Sequence, residues 1–400
     1  MKTQEVQKLY SEFVLPTYTQ IPICLVKGKG SKVWDIEGRE YIDFFPGWAV
    51  SGIGHCHPDV VSALRHQARK ILHVSNNFLN LKQGELAREI SQNSFPCKVF
   101  FCNSGAEASE GAIKFARRFG QKDGRFEIIT FRKSFHGRTL GALTATGQER
   151  IHQGFDPLPQ GFQYAEFNDL DSVKALIRDK TAAIFLEPVQ GEGGVRIATQ
   201  EFMTGLRKIC DERGLLLMVD EVQSGMGRTG KMFAYQHYGI EPDIMTLAKS
   251  LGAGVPIGAL AVHRRVEPGV LGPGSHGSTY GGNPLVCAAA LAVFKVIRKK
   301  KLLSATCEMG GYLLEKLKAL KERYPVITEA RGVGLMCALE LSAPGAFVVE
   351  AARSRGLLIN CTQEKTLRIM PAMTVSKRIL DRALNILDSV FAEWKPEGNV

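Results

Sequence analysis

From about residue 58 onward, short apolar runs recur, each ending in polar or glycine residues, with stretches of helical spacing between them. The runs are Val99-Phe100-Phe101-Cys102, Glu127-Ile128-Ile129-Thr130, Ala183-Ile184-Phe185-Leu186, Leu215-Leu216-Leu217-Met218-Val219 and Ile244-Met245-Thr246-Leu247. This alternation predicts a parallel sheet with helices on both faces. Before it, Val33 to Phe44 reads as a hairpin with Glu37-Gly38 at the turn. After it, Gly281-Gly282-Asn283-Pro284 breaks the chain ahead of a long, buried-looking helix from Leu285, and Tyr312 to Tyr324 again shows helical spacing. The last third differs in kind. Strands are expected near Gly334–Leu341, Leu357–Asn360 and Thr366–Met370, then a helix capped at Ser376 with Ile379, Leu380, Ala383, Leu384, Leu387, Val390 and Phe391 on one face. The expected division is an N-terminal segment, 1–55, joining a small domain; a large α/β domain, 56–284; and an interdomain helix with a small α+β domain, 285–400.

Composition narrows the class. Four hundred residues allow two to three domains, and 44% apolar content is ordinary for a globular chain. The longest apolar run, Leu285 to Phe294, is ten residues, about half of a bilayer span. The opening residues Met1 to Glu5 contain no apolar stretch of the presequence kind. Nine cysteines without a C-x-x-C pair suit reduced thiols, so a cytoplasmic protein is expected.

The net charge of +11 admits nucleic acid, an acidic surface or anionic small molecules as partners. The densest basic cluster, Arg298-Lys299-Lys300-Lys301, ends an apolar helix, where the macrodipole favours cations. No RNP, zinc-finger or helix-turn-helix pattern accompanies it, so neither nucleic acid nor membrane is expected as a partner.

In doubly wound sheets ligands gather at the carboxyl ends of strands, and four such ends carry conspicuous residues. Phe101-Cys102-Asn103-Ser104-Gly105-Ala106 runs from a strand into a helix start, which suits a phosphate, although Ser104 could simply cap the helix. Asp220-Glu221-Val222-Gln223 puts acids straight after an apolar run; Asp220 could hold a protonated ring nitrogen and Gln223 could reach a neighbouring oxygen. Lys249, between an apolar strand and Gly252-Ala253-Gly254, is expected to be desolvated, which lowers its pKa and makes its amine nucleophilic. Glu187-Pro188-Val189-Gln190-Gly191-Glu192-Gly193-Gly194 has three glycines around Glu192, as a closely approached loop would. Each signal is weak alone. Together they are the parts of a pyridoxal-phosphate site, with lysine for a Schiff base, aspartate for the ring nitrogen and a helix start for the phosphate.

The order and spelling of these motifs resemble the class III aminotransferases of PLP fold type I, and within them the acetylornithine/ornithine aminotransferases. The likeness is carried by Asn103-Ser104-Gly105-Ala106-Glu107-Ala108, Phe135-His136-Gly137-Arg138-Thr139, Glu187 to Glu192, Asp220-Glu221-Val222-Gln223-Ser224-Gly225, Ala248-Lys249 and Ser278-Thr279-Tyr280-Gly281-Gly282-Asn283-Pro284. The resemblance implies a large domain with a mostly parallel, seven-stranded sheet between helices, a smaller α+β domain, and a homodimer with shared active sites. It implies that Lys249 bonds the cofactor and shuttles a proton, Asp220 pairs with the pyridine nitrogen, and Gln223 bonds the phenolic oxygen. Ser104, Gly105 and Ala106 would hold the phosphate, Thr279 would reach it from the partner subunit, and Phe135 would stack on the ring. Arg138 matches a substrate carboxylate clamp and Arg368 a second one, which Glu192 neutralises in one half-reaction and uncovers for 2-oxoglutarate or glutamate.

For the donor, Tyr18 falls near a substrate-contacting position of ornithine-type relatives, and Trp48 stands where such relatives carry tyrosine and acetylornithine-type relatives a small aliphatic residue. Asn76 and Asn77 are further candidates for that pocket. N-acetylornithine is favoured, with ornithine, succinylornithine, lysine-pathway substrates and 4-aminobutyrate as alternatives. An aminomutase or racemase on the same cofactor is the competing reaction, and Arg138 argues against the aminomutase. His55-Cys56-His57-Pro58 is read as a structural loop rather than a metal cluster. Gly227-Arg228-Thr229-Gly230 lacks the Gly-Lys-Ser/Thr of a Walker loop.

Overall fold

In the computed structural model, residues 2–394 are described; residues 1 and 395–400, at the outer ends of the first and last expected segments, lie outside the described residues. All five apolar runs become strands of one seven-stranded sheet, in the order Cys97–Cys102, Gly258–His263, Ile244–Leu247, Leu216–Asp220, Thr181–Leu186, Glu127–Phe131 and Phe162–Ala165. Six of the strands run parallel; Gly258–His263 runs antiparallel to both of its neighbours. Every residue of Thr181–Leu186 and Leu216–Asp220 is buried, which is why these strands read as continuous apolar runs rather than alternating ones. Two strands carry no such signal. Gly258–His263 is built on small residues, and the edge strand Phe162–Ala165 is only partly buried along most of its length.

The helix Gly105–Gly120 lies against this sheet through Ala108, Ala112 and Ala116, all fully buried. Their small side chains let the helix start sit close to the strand ends. Asn283 caps the helix Pro284–Lys299, its Oδ1 accepting from the N–H groups of Leu285 and Val286 at 3.1 Å each. At that helix's other end Arg298 pairs with Glu89, so part of the basic run is used on the protein's own surface.

The N-terminal hairpin forms as expected: Lys32–Asp35 and Glu40–Asp43 pair antiparallel, and Gly38, at φ +85°, donates its N–H to the Asp35 carbonyl. Leu357–Leu358 from the C-terminal third joins it as a parallel fourth strand, with Leu357 opposite Ile42 and Leu358 opposite Asp43. A second four-stranded sheet contains Ile327–Val333, Met336–Leu341, Thr366–Ile369 and Asn360–Thr362. Its first strand is absent from the hydrophobic pattern because it is largely unburied and polar. The helix Lys377–Glu393 buries Leu380, Ala383, Leu384, Leu387, Val390 and Phe391 as expected, but the Ser376 side chain makes no capping bond. Only its carbonyl serves the first turn, accepting from Ile379 and Leu380, so apolar burial rather than a cap fixes this helix. No helix among the described residues is long and apolar enough to cross a membrane.

Candidate active site

Parallel pairing brings the ends of four strands to one edge of the central sheet, and Lys249 sits in the turn that follows Ile244–Leu247. Its φ of +42° lies in the left-handed region, a conformation that costs a non-glycine residue on the order of 1 kcal/mol. Burial pushes the ammonium below the usual lysine range, while Glu192, Asp220 and Glu187 pull it the other way. The result is an amine more easily deprotonated than a surface lysine.

Asp220 ends the neighbouring strand and is buried. Its Oδ2 lies 2.8 Å from His136 Nδ1, and its Oδ1 accepts from the Val222 N–H at 3.0 Å. His136 is itself buried and stacked on Phe185, with ring centroids 4.0 Å apart. The pair therefore fixes the position of this carboxyl group at the floor of the site. Glu187, one strand further, accepts from the N–H groups of Phe135 at 2.9 Å and Gly191 at 3.1 Å. Burial raises its pKa to about 7, against the nearby His136.

Ser104 caps the helix Gly105–Gly120 by accepting from the Glu107 N–H at 3.2 Å. The first N–H groups of a helix have no partner inside it and attract an anion. Glycine is required at 105, where a Cβ would stand 2.9 Å from Val222 Cγ1. It is also required at 191, where a Cβ would meet Gln223 Oε1 at 1.8 Å.

These groups surround one cavity of about 460 Å3, lined by Ser104, Gly105, Ala106, Phe135, Arg138, Glu187, Glu192, Asp220, Val222, Gln223 and Lys249 among others. Among the described residues the buried Gln223 Oε1 has no hydrogen-bond partner, whereas Nε2 of the same amide donates to the Trp48 carbonyl at 3.3 Å. The donor set fits a flat, phosphate-bearing ring: a helix start for the phosphate, a carboxylate for a ring cation, an amide for a ring oxygen and an amine able to bond a carbonyl carbon.

Arg368 stands behind this cavity, fully buried. Its Nη1 bonds Glu192 Oε1 at 2.8 Å and its Nε bonds Asn360 Oδ1 at 3.0 Å, while Phe45 and Trp48 flank the guanidinium at 4.9 and 5.3 Å. The main chain of the Glu192 loop is clamped. Thr362 and Gln363 donate to the Glu192 carbonyl, and Arg331 donates to the carbonyls of Gly194 and Val195. With its main-chain carbonyl held, the Glu192 side chain is the part of this residue left to rotate.

Some expected residues lie elsewhere. Thr279 is exposed and lines a separate cavity of about 730 Å3 with Asn76, Asn77 and His276. Asn76 is occupied with the carbonyls of Ser278 and Gly281, both at 3.1 Å. Tyr18 is 73% exposed and Trp48 46%; neither lines the central cavity. His55 pairs with Asp43 at 2.7 Å, whereas His57 caps the helix Pro58–Ala68, so the two histidines do separate structural work. His136 and Glu187 fall within the quoted motifs but have no role among the sequence expectations. Glu187 carries the same signal as Asp220, an acid directly after an apolar run. His136 carries none, because its partner lies 84 positions away.

The family model for aminotransferase class III matches residues 13–391. The chain is 50% identical over 386 residues to the acetylornithine aminotransferase of Caldanaerobacter subterraneus subsp. tengcongensis, covering 96% of this chain and 98% of that one. It is 47% identical to the acetylornithine aminotransferase of Methanocaldococcus jannaschii, covering 97% and 98% of the two chains. Among solved structures, the ornithine aminotransferase of Toxoplasma gondii crystallised with oxidised glutathione, in which PLP partly occupies the active site, superposes with a TM-score of 0.93 at 32% identity over 98% of this chain and 94% of that one.

One buried acid beside the site has a measurable consequence for stability. Glu221 accepts from Ser224 Oγ at 2.6 Å and from the Tyr235 N–H at 2.8 Å, and burial pushes its pKa to about 7. A carboxyl raised in the folded state contributes stability below its unfolded value of 4.5 and loses it as pH rises through about 7. Glu221→Gln keeps both hydrogen bonds without the charge. Thermal melts should therefore match the parent at pH 5 and exceed it at pH 8, by at most on the order of 2–3 kcal/mol. A variant no more stable than the parent at pH 8 would contradict this account.

Proposed function

This chain belongs to the class III aminotransferases, and we propose that it moves the terminal amino group of N-acetylornithine to 2-oxoglutarate. The products are N-acetylglutamate semialdehyde and glutamate, formed in a ping-pong sequence in the cytoplasm with pyridoxal phosphate as cofactor. When bound, that cofactor supplies an electrophilic carbonyl and a ring that accepts the electrons released at the substrate carbon.

The geometry supports the following roles for the protein's own residues. The Ser104 hydroxyl and the N–H groups of Gly105 and Ala106 take the phosphate at the helix start. Asp220, oriented by His136, keeps a proton on the ring nitrogen, and the Gln223 amide bonds the phenolic oxygen. Phe135 packs on the ring face. Lys249 Nζ, with its lowered pKa, would hold the cofactor at its carbonyl carbon and would carry the proton at the substrate carbon. Arg138, at the cavity mouth, offers a planar fork to a substrate carboxylate.

The observation that carries the two-substrate reading is the Arg368–Glu192 pair. Closed, it presents no free cation to a donor whose only carboxylate is taken by Arg138. When a dicarboxylate arrives, its second carboxylate replaces that of Glu192, so burial never leaves the guanidinium without an anion. Tyr18 and Trp48 are proposed to bound the outer end of the donor, Trp48 while also covering Arg368. Support for N-acetylornithine comes from the 50% and 47% identical relatives, against 32% for the ornithine enzyme.

We further propose a homodimer in which Thr279 reaches the neighbouring subunit's phosphate. Asn76 and Asn80 bond the 278–282 loop, and this surface leaves Phe78, Leu79, Leu81 and Tyr280 exposed, an apolar face that a second copy would cover.

Three measurements test these readings. Protein reconstituted with pyridoxal phosphate should show a visible-range band fixed by borohydride; Lys249→Ala should lack it and lose activity by roughly a thousandfold or more. Across a donor panel, kcat/KM should be highest for N-acetylornithine, and ornithine or 4-aminobutyrate within about threefold would overturn that choice. Sedimentation should give a dimer, and Leu79→Asp should give monomers that hold pyridoxal phosphate at least about tenfold more weakly. A monomeric parent protein would end the dimer proposal.

A further inference from the structure

The loop Gly227-Arg228-Thr229-Gly230 has no part in the chemistry above, yet it holds a fully buried arginine. Among the described residues no carboxylate forms an ion pair with Arg228, and its Nε and Nη2 have no hydrogen-bond partner. Burial lowers its pKa to about 10, so it stays charged at neutral pH. A buried cation without an anion is unfavourable, and its retention calls for a specific use.

Its bonds show that use. Nη1 donates to the carbonyls of Leu335 and Pro371. Leu335 precedes the strand Met336–Leu341, and Pro371 follows the strand Thr366–Ile369, which carries Arg368. These strands are adjacent, with Ala338 opposite Arg368. The Arg228 carbonyl also accepts from the Leu335 N–H at 3.1 Å. The turn is pressed onto the loop: a Cβ at Gly334, φ +56°, would stand 2.6–2.8 Å from the backbone of Arg228 and Thr229.

The other side of the guanidinium faces the lysine turn. A Cβ at Gly52 would meet Ser250 Oγ at 2.3 Å and Arg228 Nη2 at 3.6 Å, and Ser250 donates to the Ala49 carbonyl at 2.8 Å. Ser250 directly follows Lys249, and Ala49 directly follows Trp48, which covers Arg368. Met373, just past Pro371, donates its N–H to the Gly52 carbonyl at 2.8 Å. One buried side chain thus lies where the lysine turn, the Trp48 loop, the entrance of one small-sheet strand and the exit of its neighbour meet.

We propose that Arg228 is a positioning residue that sets where the Arg368–Glu192 pair stands relative to Lys249, and so governs recognition of the dicarboxylate substrate. It acts through the strand Thr366–Ile369 and touches no reacting group. The inference rests on the aminotransferase reading, in which only the 2-oxo acid half-reaction needs Arg368 uncovered and correctly placed. The donor half-reaction uses that arginine masked.

The test is Arg228→Met, which keeps much of the volume and removes every donor. The visible-range band of the pyridoxal phosphate form should be unchanged, and single-turnover amination by N-acetylornithine should stay within about threefold of the parent. KM for 2-oxoglutarate should rise by at least about tenfold with little change in kcat. If that variant fails to fold, Arg228→Lys, whose shorter side chain lacks the planar fork, should show the same split to a smaller degree. Equal losses in both half-reactions, or an unchanged KM for 2-oxoglutarate, would overturn the proposal and assign Arg228 to stability alone. A parent protein that shows no band and no amination would instead refute the aminotransferase reading on which the proposal rests.

Discussion

Parallel strands in one sheet all point their carboxyl ends to the same edge, and the site depends on this constraint more than on any single bond. Asn103 and Ser104, Glu187, Asp220 and Lys249 follow four strands that run in one direction, so their side chains converge although the first and last lie far apart in sequence. The antiparallel strand Gly258–His263 fits between two of them without disturbing the arrangement, because its glycine end meets the Ser104 turn. A Cβ at Gly258 would be 2.3 Å from the Ser104 carbonyl oxygen.

Convergence concentrates charge where water is scarce. Lys249 shares the cavity with Glu187, Glu192 and Asp220, and the structure tunes them by different means. Asp220 has a histidine, Glu192 has an arginine, and Glu187 has two backbone N–H groups. Burial raises Glu187, whose direct bonds are to those N–H groups, to about 7. The same logic applies to the cations. Arg368 is held by a side-chain carboxylate, whereas Arg228 is held by backbone carbonyls. One is suited to recognition and the other to fixing a distance.

The second sheet completes the site from the opposite side. Its strands carry Arg368, Thr362 and Arg331, which respectively pair with Glu192, fix its carbonyl and fix the carbonyls of Gly194 and Val195. The Glu192 loop is therefore shared between the sheets. Its three glycines are needed because Gln223, Gln190 and Thr366 approach the positions their side chains would occupy.

The sequence by itself determined the five buried strands, the acid and lysine at their ends, the glycine loop and the hairpin, because each is written in adjacent residues. Burial on both faces leaves an apolar run, and a helix start leaves a Ser-Gly-Ala turn. It carried no unaided sign that His136 orients Asp220, that Arg228 joins two sheets, or that Trp48 would cover Arg368 rather than line the cavity. Each of those depends on contacts across tens to hundreds of positions, and the local spelling of a histidine, arginine or tryptophan is the same whichever partner it meets. Tertiary structure decided them because the partner, not the residue, sets whether a buried polar group is satisfied. The net charge of +11 told least: its total is shared between surface and site, and only folding separates Lys249, Arg368 and Arg228 from the rest.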